Sequence, residues 1–382
     1  MTPPGEAWRT TGVDADHGTA AIRKLEATVM ANQDDPAAHY ALARACMASG
    51  QFDRARRCLR AAMSLGDAWL RLPQIGNDLE RLRLYPEAWR ALAAAGHARR
   101  IAREAGQPAR VAVREWDGAS LAGKTMLIER RIRHMGAELR LARLIAKVCG
   151  EAARCFVRTE DRLVPILRRS FPEAVVFSPM NRPAGVPAAD VAASYETLAL
   201  HYCPDDVAIR RSFVPLRADS GTVARYRDRY LPGGEGRLIG ISWRSANAAK
   251  EVPALMAWLP LLARPGCRFV SLQYGDVRAE IDAATATSGV TLIHDPTVDQ
   301  LIDMNRFAAQ VAAMDAVVTI SVTGAHLAGA LGVPTTILLD DKPHLAWPVE
   351  GEESPWYPQT RLVRKSGKPW REIIASLAAT LD

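Results

Sequence analysis

The six cysteines of this 382-residue chain, Cys46, Cys58, Cys149, Cys155, Cys203 and Cys267, form no CxxC pair and no metal-ligand spacing. Reduced thiols in a cytoplasmic protein are the plain reading. The opening "MTPPGEAWRTTGVDADHG" lacks an apolar segment, so neither secretion nor membrane insertion is indicated, and residues 1–20 read as a disordered tail. No Lys/Arg-rich block with interleaved aromatics occurs. The formal net charge of +7 therefore suits anionic ligands such as sugar nucleotides at least as readily as nucleic acid, and no nucleic-acid partner is expected. No paired acidic motif stands at a strand end, so no metal is expected.

One long apolar run is present. In "VTISVTGAHLAGALGVPTTILL", Val318 to Leu339, His326 is the single ionisable side chain. A bilayer helix needs about 20 mostly apolar residues, so length alone permits a membrane span. Composition argues otherwise. Val318, Ile320 and Val322 are β-branched and read as a strand end, Gly324 marks a turn, "GAHLAGALG" reads as a helix closed by Gly332 and Pro334, and "PTTILL" reads as a second strand. Strand, turn, helix, strand is the unit of a parallel sheet, whose strands are covered on both faces and need no lipid to be hydrophobic. Ligands of such sheets sit beyond the carboxyl ends of strands, where helix N-termini favour phosphate. Ser321, Thr323, Gly324 and His326 lie at that place, with plain packing as the alternative.

Upstream the pattern is helical. In "DPAAHYALARACMASGQFDRARRCLRAAMSLGD", Leu42, Ala43 and Cys46 share one helix, Gly50 makes a turn, and Phe52, Ala55, Leu59 and Ala62 follow on the next. Ala21 and Leu25 precede Ala55 and Leu59 by one repeat length, and Tyr85, Ala88, Leu92 and Ala95 echo the set again. This looks like tetratricopeptide repeats over residues 21–107, which bury a shared core and leave a face for a protein partner or serve only as a cap.

From Lys124 strands and helices alternate. "KTMLIE", "ARCFVRT" and "AVVFSP" read as strands, with helices "GAELRLARLIAKVCG" and "RLVPILRRSF" between them, in a domain over 108–202. Residues 203–236 read as a connector carrying a helix at "SGTVARYRDRYL". A second α/β domain, 237–382, runs through "RLIGISWRS", "CRFVSLQYGD", "VTLIHD", "DMNRFAAQVAAM", "AVVTIS" and the apolar run to "RLVRK" and the helix "PWREIIASLAATLD". The fold class is α/β, two Rossmann-like domains preceded by an all-α segment.

Taken in order, "GISWRS", "FVSLQYGD", "AAQVAAMDAVVTIS", "AHLAGALGVP" and "SPWYP" resemble bacterial tetratricopeptide-repeat glycosyltransferases of the GT-B fold, related to heptosyltransferases and protein O-GlcNAc transferases. "SWRS" and "LQYGD" are most similar to flagellin glycosyltransferases. The resemblance implies that the carboxyl domain binds a nucleotide-sugar donor without a metal cofactor. It also implies that the preceding domain presents the acceptor and that the repeats recruit a protein, such as flagellin. By position it assigns the donor to Ser242, Trp243, Arg244, Ser245, Gln273, Tyr274, Asp303, Asn305, Ser321, Thr323, Gly324 and His326. An Arg at position 244 can pair bidentately with phosphate.

Relatives carry a Gly-x-Gly-Asp-Glu-like turn where this chain has His134, Met135, Gly136, Ala137 and Glu138. Ala137 cannot serve as the base of an inverting transfer, which leaves Glu138 or His134 as candidates. Three readings follow: a transferase acting on protein Ser/Thr, a catalytically silent scaffold, and a surface-polysaccharide transferase. A nonulosonic acid donor would arrive as a CMP-sugar, other donors as diphosphates.

Overall fold

The computed structural model describes residues 15–66, 74–104, 113–131, 134–181, 189–342, 344 and 346–380. The expected tail as far as residue 14 and the boundary between residues 107 and 108 lie outside the described residues. The chain divides into two compact units, Met1–Ala95 with Pro343–Glu350 and Gly96–Lys342 with Gly351–Asp382. Residues 343–350, which the sequence places in the donor-binding domain, thus belong with the helices.

The helical unit runs through α1 (Ala15–Ala31), α2 (Pro36–Ala48), α3 (Phe52–Ser64), α4 (Ile75–Arg81) and α5 (Tyr85–Glu104). Asp35 starts α2 by accepting the Ala37 N–H at 2.8 Å, and Pro36 occupies the first turn, where its missing N–H costs nothing. Ala43 and Cys46 of α2 and Ala55, Leu59 and Ala62 of α3 have no exposed surface, so small side chains let the helix pair approach closely. Asp78 of α4 is buried and accepts from Tyr40 (2.8 Å), Arg44 (3.2 Å) and Arg81. Arg81 also donates to the His344 carbonyl at 2.8 Å, and Val349 packs on the apolar cluster, which ties the late segment in.

The α/β unit contains two wholly parallel sheets. The first holds β1 (Arg114–Glu115), β2 (Thr125–Glu129), β3 (Arg154–Arg158), β4 (Ala174–Phe177) and β5 (Val191–Ser194), in the order β1-β5-β2-β3-β4. The second holds β6 (Arg237–Ser242), β7 (Cys267–Ser271), β8 (Leu292–Ile293), β9 (Ala316–Ile320), β10 (Thr335–Leu339) and β11 (Thr360–Arg364), in the order β11-β10-β9-β6-β7-β8. The apolar run is therefore β9, a helix and β10, and no described helix is long and apolar enough to cross a membrane.

Covering helices are α6 (Met135–Leu141), α7 (Leu144–Glu151), α8 (Val164–Ser170) and α9 (Tyr195–Tyr202) around the first sheet. After them come α10 (Asp206–Arg211), α11 (Ser220–Tyr230), α12 (Leu259–Leu262), α13 (Arg278–Ser288), α14 (Met304–Ala312), α15 (Thr323–Ala330) and α16 (Trp370–Thr380). Two departures from the sequence reading matter for the site. The helix expected through residues 136–150 breaks at Ala142 and Arg143, where Arg143 Nε folds back to donate to the Arg140 carbonyl at 3.0 Å. Strand β5, Val191–Ser194, was not anticipated: it is buried along its whole length between β1 and β2, and its alanines carry little strand signal.

Candidate functional site

Strand order fixes where a ligand can enter. In the second sheet the chain runs outward from β6 through β7 to β8 and returns to β9 on the other side of β6, so a crevice opens beyond the carboxyl ends of β6 and β9. In the first sheet the corresponding reversal lies between β2 and β5. The helix that follows β2, α6, packs directly on the helix that follows β9, α15.

The β9 side of the crevice carries Ser321, Thr323 and Gly324. Helix α15 begins at Thr323 behind Val322, whose side chain offers no cap, and the Ala325 N–H turns back to the Val322 carbonyl at 3.0 Å. That end carries partial positive charge. The β6 side carries Ser242, Trp243, Arg244 and Ser245, followed by a loop bearing Lys250. The Lys250 ammonium reaches across to donate to the Ser321 carbonyl. It is partly buried, and burial holds its pKa below the ordinary value against the pull of Asp340. Sequence reading passed over Lys250, because "SANAAKE" looks like a solvated polar loop.

Several residues assigned to the donor prove to be bracing for that loop. Gln273 Oε1 accepts from Ser242 Oγ (3.0 Å), the Trp243 N–H (2.9 Å) and the Arg244 N–H (2.7 Å), while its amide nitrogen donates to the Arg244 and Tyr274 carbonyls. Its polar atoms are thus engaged within the protein, where the resemblance implied a residue lining the nucleotide. Tyr274 OH accepts from the Ala246 N–H and Ser245 Oγ from the Asn247 N–H. Asp340 accepts the Glu251 N–H at 2.7 Å, and Lys342 donates to the Ala249 carbonyl at 2.7 Å. The loop holding Lys250 is thus tied to β7 on one side and β10 on the other.

Trp243 is a core residue: fully buried, with its indole N–H donating to Glu280 at 2.7 Å. Arg244, about half exposed, forms an ion pair with the other oxygen of Glu280 at 2.7 Å. Asp303 is the N-cap of α14 and accepts the Arg306 N–H at 2.9 Å. Asn305 accepts from Arg169 of α8 at 3.0 Å, which places it at the contact between α14 and α8 and not in the crevice.

His326 lies in α15 and is buried. Its Nδ1 is 3.1 Å from the Tyr357 hydroxyl. Burial pushes its pKa down to about 3, with the Arg140 and Lys250 charges adding to the effect. It therefore stands as a neutral imidazole and cannot supply the positive charge that a phosphate position suggests.

On the acceptor side the two candidate bases differ. Glu138 has no exposed surface: Arg130 Nε donates to one oxygen at 2.7 Å and Thr159 Oγ1 to the other. Burial raises its pKa despite these partners. The carboxylate is enclosed, and the expectation that it meets an acceptor hydroxyl is corrected accordingly. His134 is exposed, immediately before α6. Around it the strand ends are charge-paired, with Arg131 bidentate on Glu115 (2.8 and 2.7 Å) and also on Glu129 (2.9 Å).

A tetratricopeptide repeat family model matches residues 13–67. The chain is 28% identical over 298 residues to Protein FlbA of Caulobacter vibrioides, an alignment covering 70% of this chain and 48% of FlbA. It thus spans about half the length of the curated relative it matches. Among solved structures it is similar to a family 9 glycosyl transferase from Veillonella parvula, at 13% identity over 64% of this chain and 87% of that one, with a TM-score of 0.48. It is also similar to the E. coli ADP-heptose lipopolysaccharide heptosyltransferase II, at 13% identity over 68% and 98% of the two chains, TM-score 0.48.

Proposed function

We propose that this chain is a metal-independent glycosyltransferase that binds a nucleotide sugar between β6 and β9 and transfers the sugar to a protein hydroxyl. The observation that carries the reading is the juxtaposition of the Lys250 ammonium with the uncapped N-terminus of α15 across the crevice. A partly buried cation and a helix N-terminus together stabilise a leaving phosphate without a metal. In the transfer the acceptor oxygen attacks the anomeric carbon, the bond to the donor phosphate breaks, and the nucleotide leaves with the bonding pair. The acceptor proton passes to a base, for which His134 is the exposed candidate. A protein acceptor, with flagellin the first to assay, agrees with the tetratricopeptide repeat and with the motifs of the carboxyl half. A cytoplasmic location agrees with a nucleotide-sugar donor.

The test is calorimetric titration of the full chain with UDP, GDP and CMP, with Lys250→Ala as control. Selective binding of one nucleotide, lost in the variant, is expected. A folded protein that binds none of them overturns the reading. A second reading, a donor-binding scaffold without turnover, is favoured by Ala137 together with the enclosure of Glu138. Nucleotide binding with no transfer to protein, and no donor hydrolysis, would select it.

A further inference from the structure

Glu138 is a carboxylate with no exposed surface, a state that is costly unless both oxygens are bonded. Thr159 Oγ1, just beyond β3, donates to one oxygen, and Arg130 Nε, just beyond β2, donates to the other at 2.7 Å. Glu138 thus grips Arg130 by a single nitrogen. The two terminal nitrogens of that guanidinium make no hydrogen bond to any described residue, and the side chain is 29% exposed.

The next arginine along the chain is engaged differently. Arg131, with 4% of its side chain exposed, places both terminal nitrogens on Glu115 and reaches Glu129 as well. One guanidinium is locked and its neighbour presents an unengaged fork. The location of that fork follows from α6, whose first turn lies against the donor side: a Cβ on Gly136 would stand 2.5 Å from Cδ2 of His326 in α15. Glu138 is two residues further along α6, so the ion pair stands near the meeting of the helices that follow β2 and β9, as does exposed His134. The charge of Arg130 is matched by Glu138. What remains for a ligand is a rigid pair of N–H donors without surplus charge, which suits the lone pairs of an uncharged oxygen.

We propose that Glu138 is a positioning residue that holds Arg130 by Nε, and that the terminal nitrogens of Arg130 bind the acceptor. The ligand rests on the proposed function: it is a main-chain carbonyl oxygen of the acceptor polypeptide, beside the hydroxyl whose proton His134 receives. Lys250 serves the donor phosphate, and Arg130 serves the acceptor.

The fork can be read without any ligand. Phenylglyoxal condenses with the two terminal nitrogens of a guanidinium, so peptide mapping of the treated full chain should find Arg130 modified well before Arg131. Modification of Arg130 no faster than Arg131 overturns the proposal. The role is read in steady-state transfer to flagellin from the nucleotide sugar that the wild type binds. Arg130→Lys keeps a cation for Glu138 and removes the fork. It should raise KM for flagellin about ten- to a hundredfold, the loss expected for hydrogen bonds from a charged group, and leave the nucleotide Kd as in the wild type. Glu138→Gln should move KM in the same direction by less, again with the nucleotide Kd unchanged. An unchanged KM in Arg130→Lys overturns the proposal, and so does an equal loss of nucleotide affinity, which would place the fork on the donor. If the variants do not fold, wild-type protection decides: flagellin should slow the modification of Arg130 and the nucleotide alone should not, and no protection by flagellin overturns the proposal. If UDP, GDP and CMP all fail to bind, or the wild type transfers nothing to flagellin, the proposed function falls and the acceptor role of Arg130 with it, whereas the phenylglyoxal map still decides whether Glu138 holds an open fork.

Discussion

At the carboxyl ends of β1, β2 and β3 the first sheet matches acids with bases. Glu115, Arg131, Glu129 and Arg158 form a continuous chain of ion pairs, and Arg130 closes on buried Glu138. The second sheet also carries charged groups at the equivalent edge, the Arg244–Glu280 pair and buried Asp340 among them, but between β6 and β9 it places backbone groups, the amide of Gln273 and a partly buried ammonium whose near hydrogen-bond partner is a carbonyl. Two parallel sheets that each reverse strand order once thus end differently. The first satisfies its charges internally, whereas the second brings one ammonium, offset in part by Asp340, beside a helix N-terminus, a combination that a phosphate can answer.

That contrast can be broken at several points. The largest effect is expected at Arg131, whose removal leaves Glu115 and Glu129 facing each other. Arg131→Ala should cost about 3 kcal/mol of stability in urea denaturation, discounted for the partly exposed carboxylates, and leave nucleotide affinity unchanged. A loss of affinity in a stable variant would mean that the first sheet's edge also binds donor. On the second sheet, Lys250→Ala should weaken nucleotide binding by about 2–3 kcal/mol, roughly 30- to 150-fold, in calorimetry. Retained affinity would remove the difference between the two edges.

The His326 effect appears in pH dependence. Its folded pKa, about 3, lies below the unfolded value of 6.5, so below 6.5 the unfolded chain binds a proton that the folded chain does not. Stability from this residue is complete above about pH 6.5 and is lost progressively as pH falls toward 3. Relative to His326→Gln, wild type should lose about 2 kcal/mol between pH 7 and pH 5. Parallel curves would show that the imidazole is charged in the folded protein. The smallest effect is expected at Arg244. Half exposed and paired with Glu280, it should cost less than about 1 kcal/mol of nucleotide affinity when changed to Ala, well short of the decisive role its motif suggests.

Much of the architecture was legible because it depends on local periodicity. Parallel strands such as β9 and β10 read as unbroken apolar runs, and the α2–α3 pair reads from small residues at helical spacing. The helix start after β9 was legible too, since a strand, a turn and a small-residue helix place Thr323 and Gly324 at a helix start wherever that helix packs. The misses have a common cause. Arg140 and Arg143 look like the polar stripe of an amphipathic helix, yet both are buried, with guanidinium groups over the rings of Trp356 and Phe213. Cation–π contact with residues far along the chain replaces water for them. Glu138 likewise looks available until Thr159 and Arg130 enclose it.

By itself, then, the sequence determined most of the strands and helices, though not β5 or the break between α6 and α7, and that a helix N-terminus follows β9. These rest on spacing and side-chain shape within a few residues. The tertiary structure alone decided which polar groups remain for a ligand. Gln273 and Trp243 are occupied by bonds to residues about thirty positions away, whereas Lys250 reaches Ser321 across the crevice. Whether a polar side chain is satisfied depends on what folding places within three ångströms of it, and spacing along the chain carries no record of that.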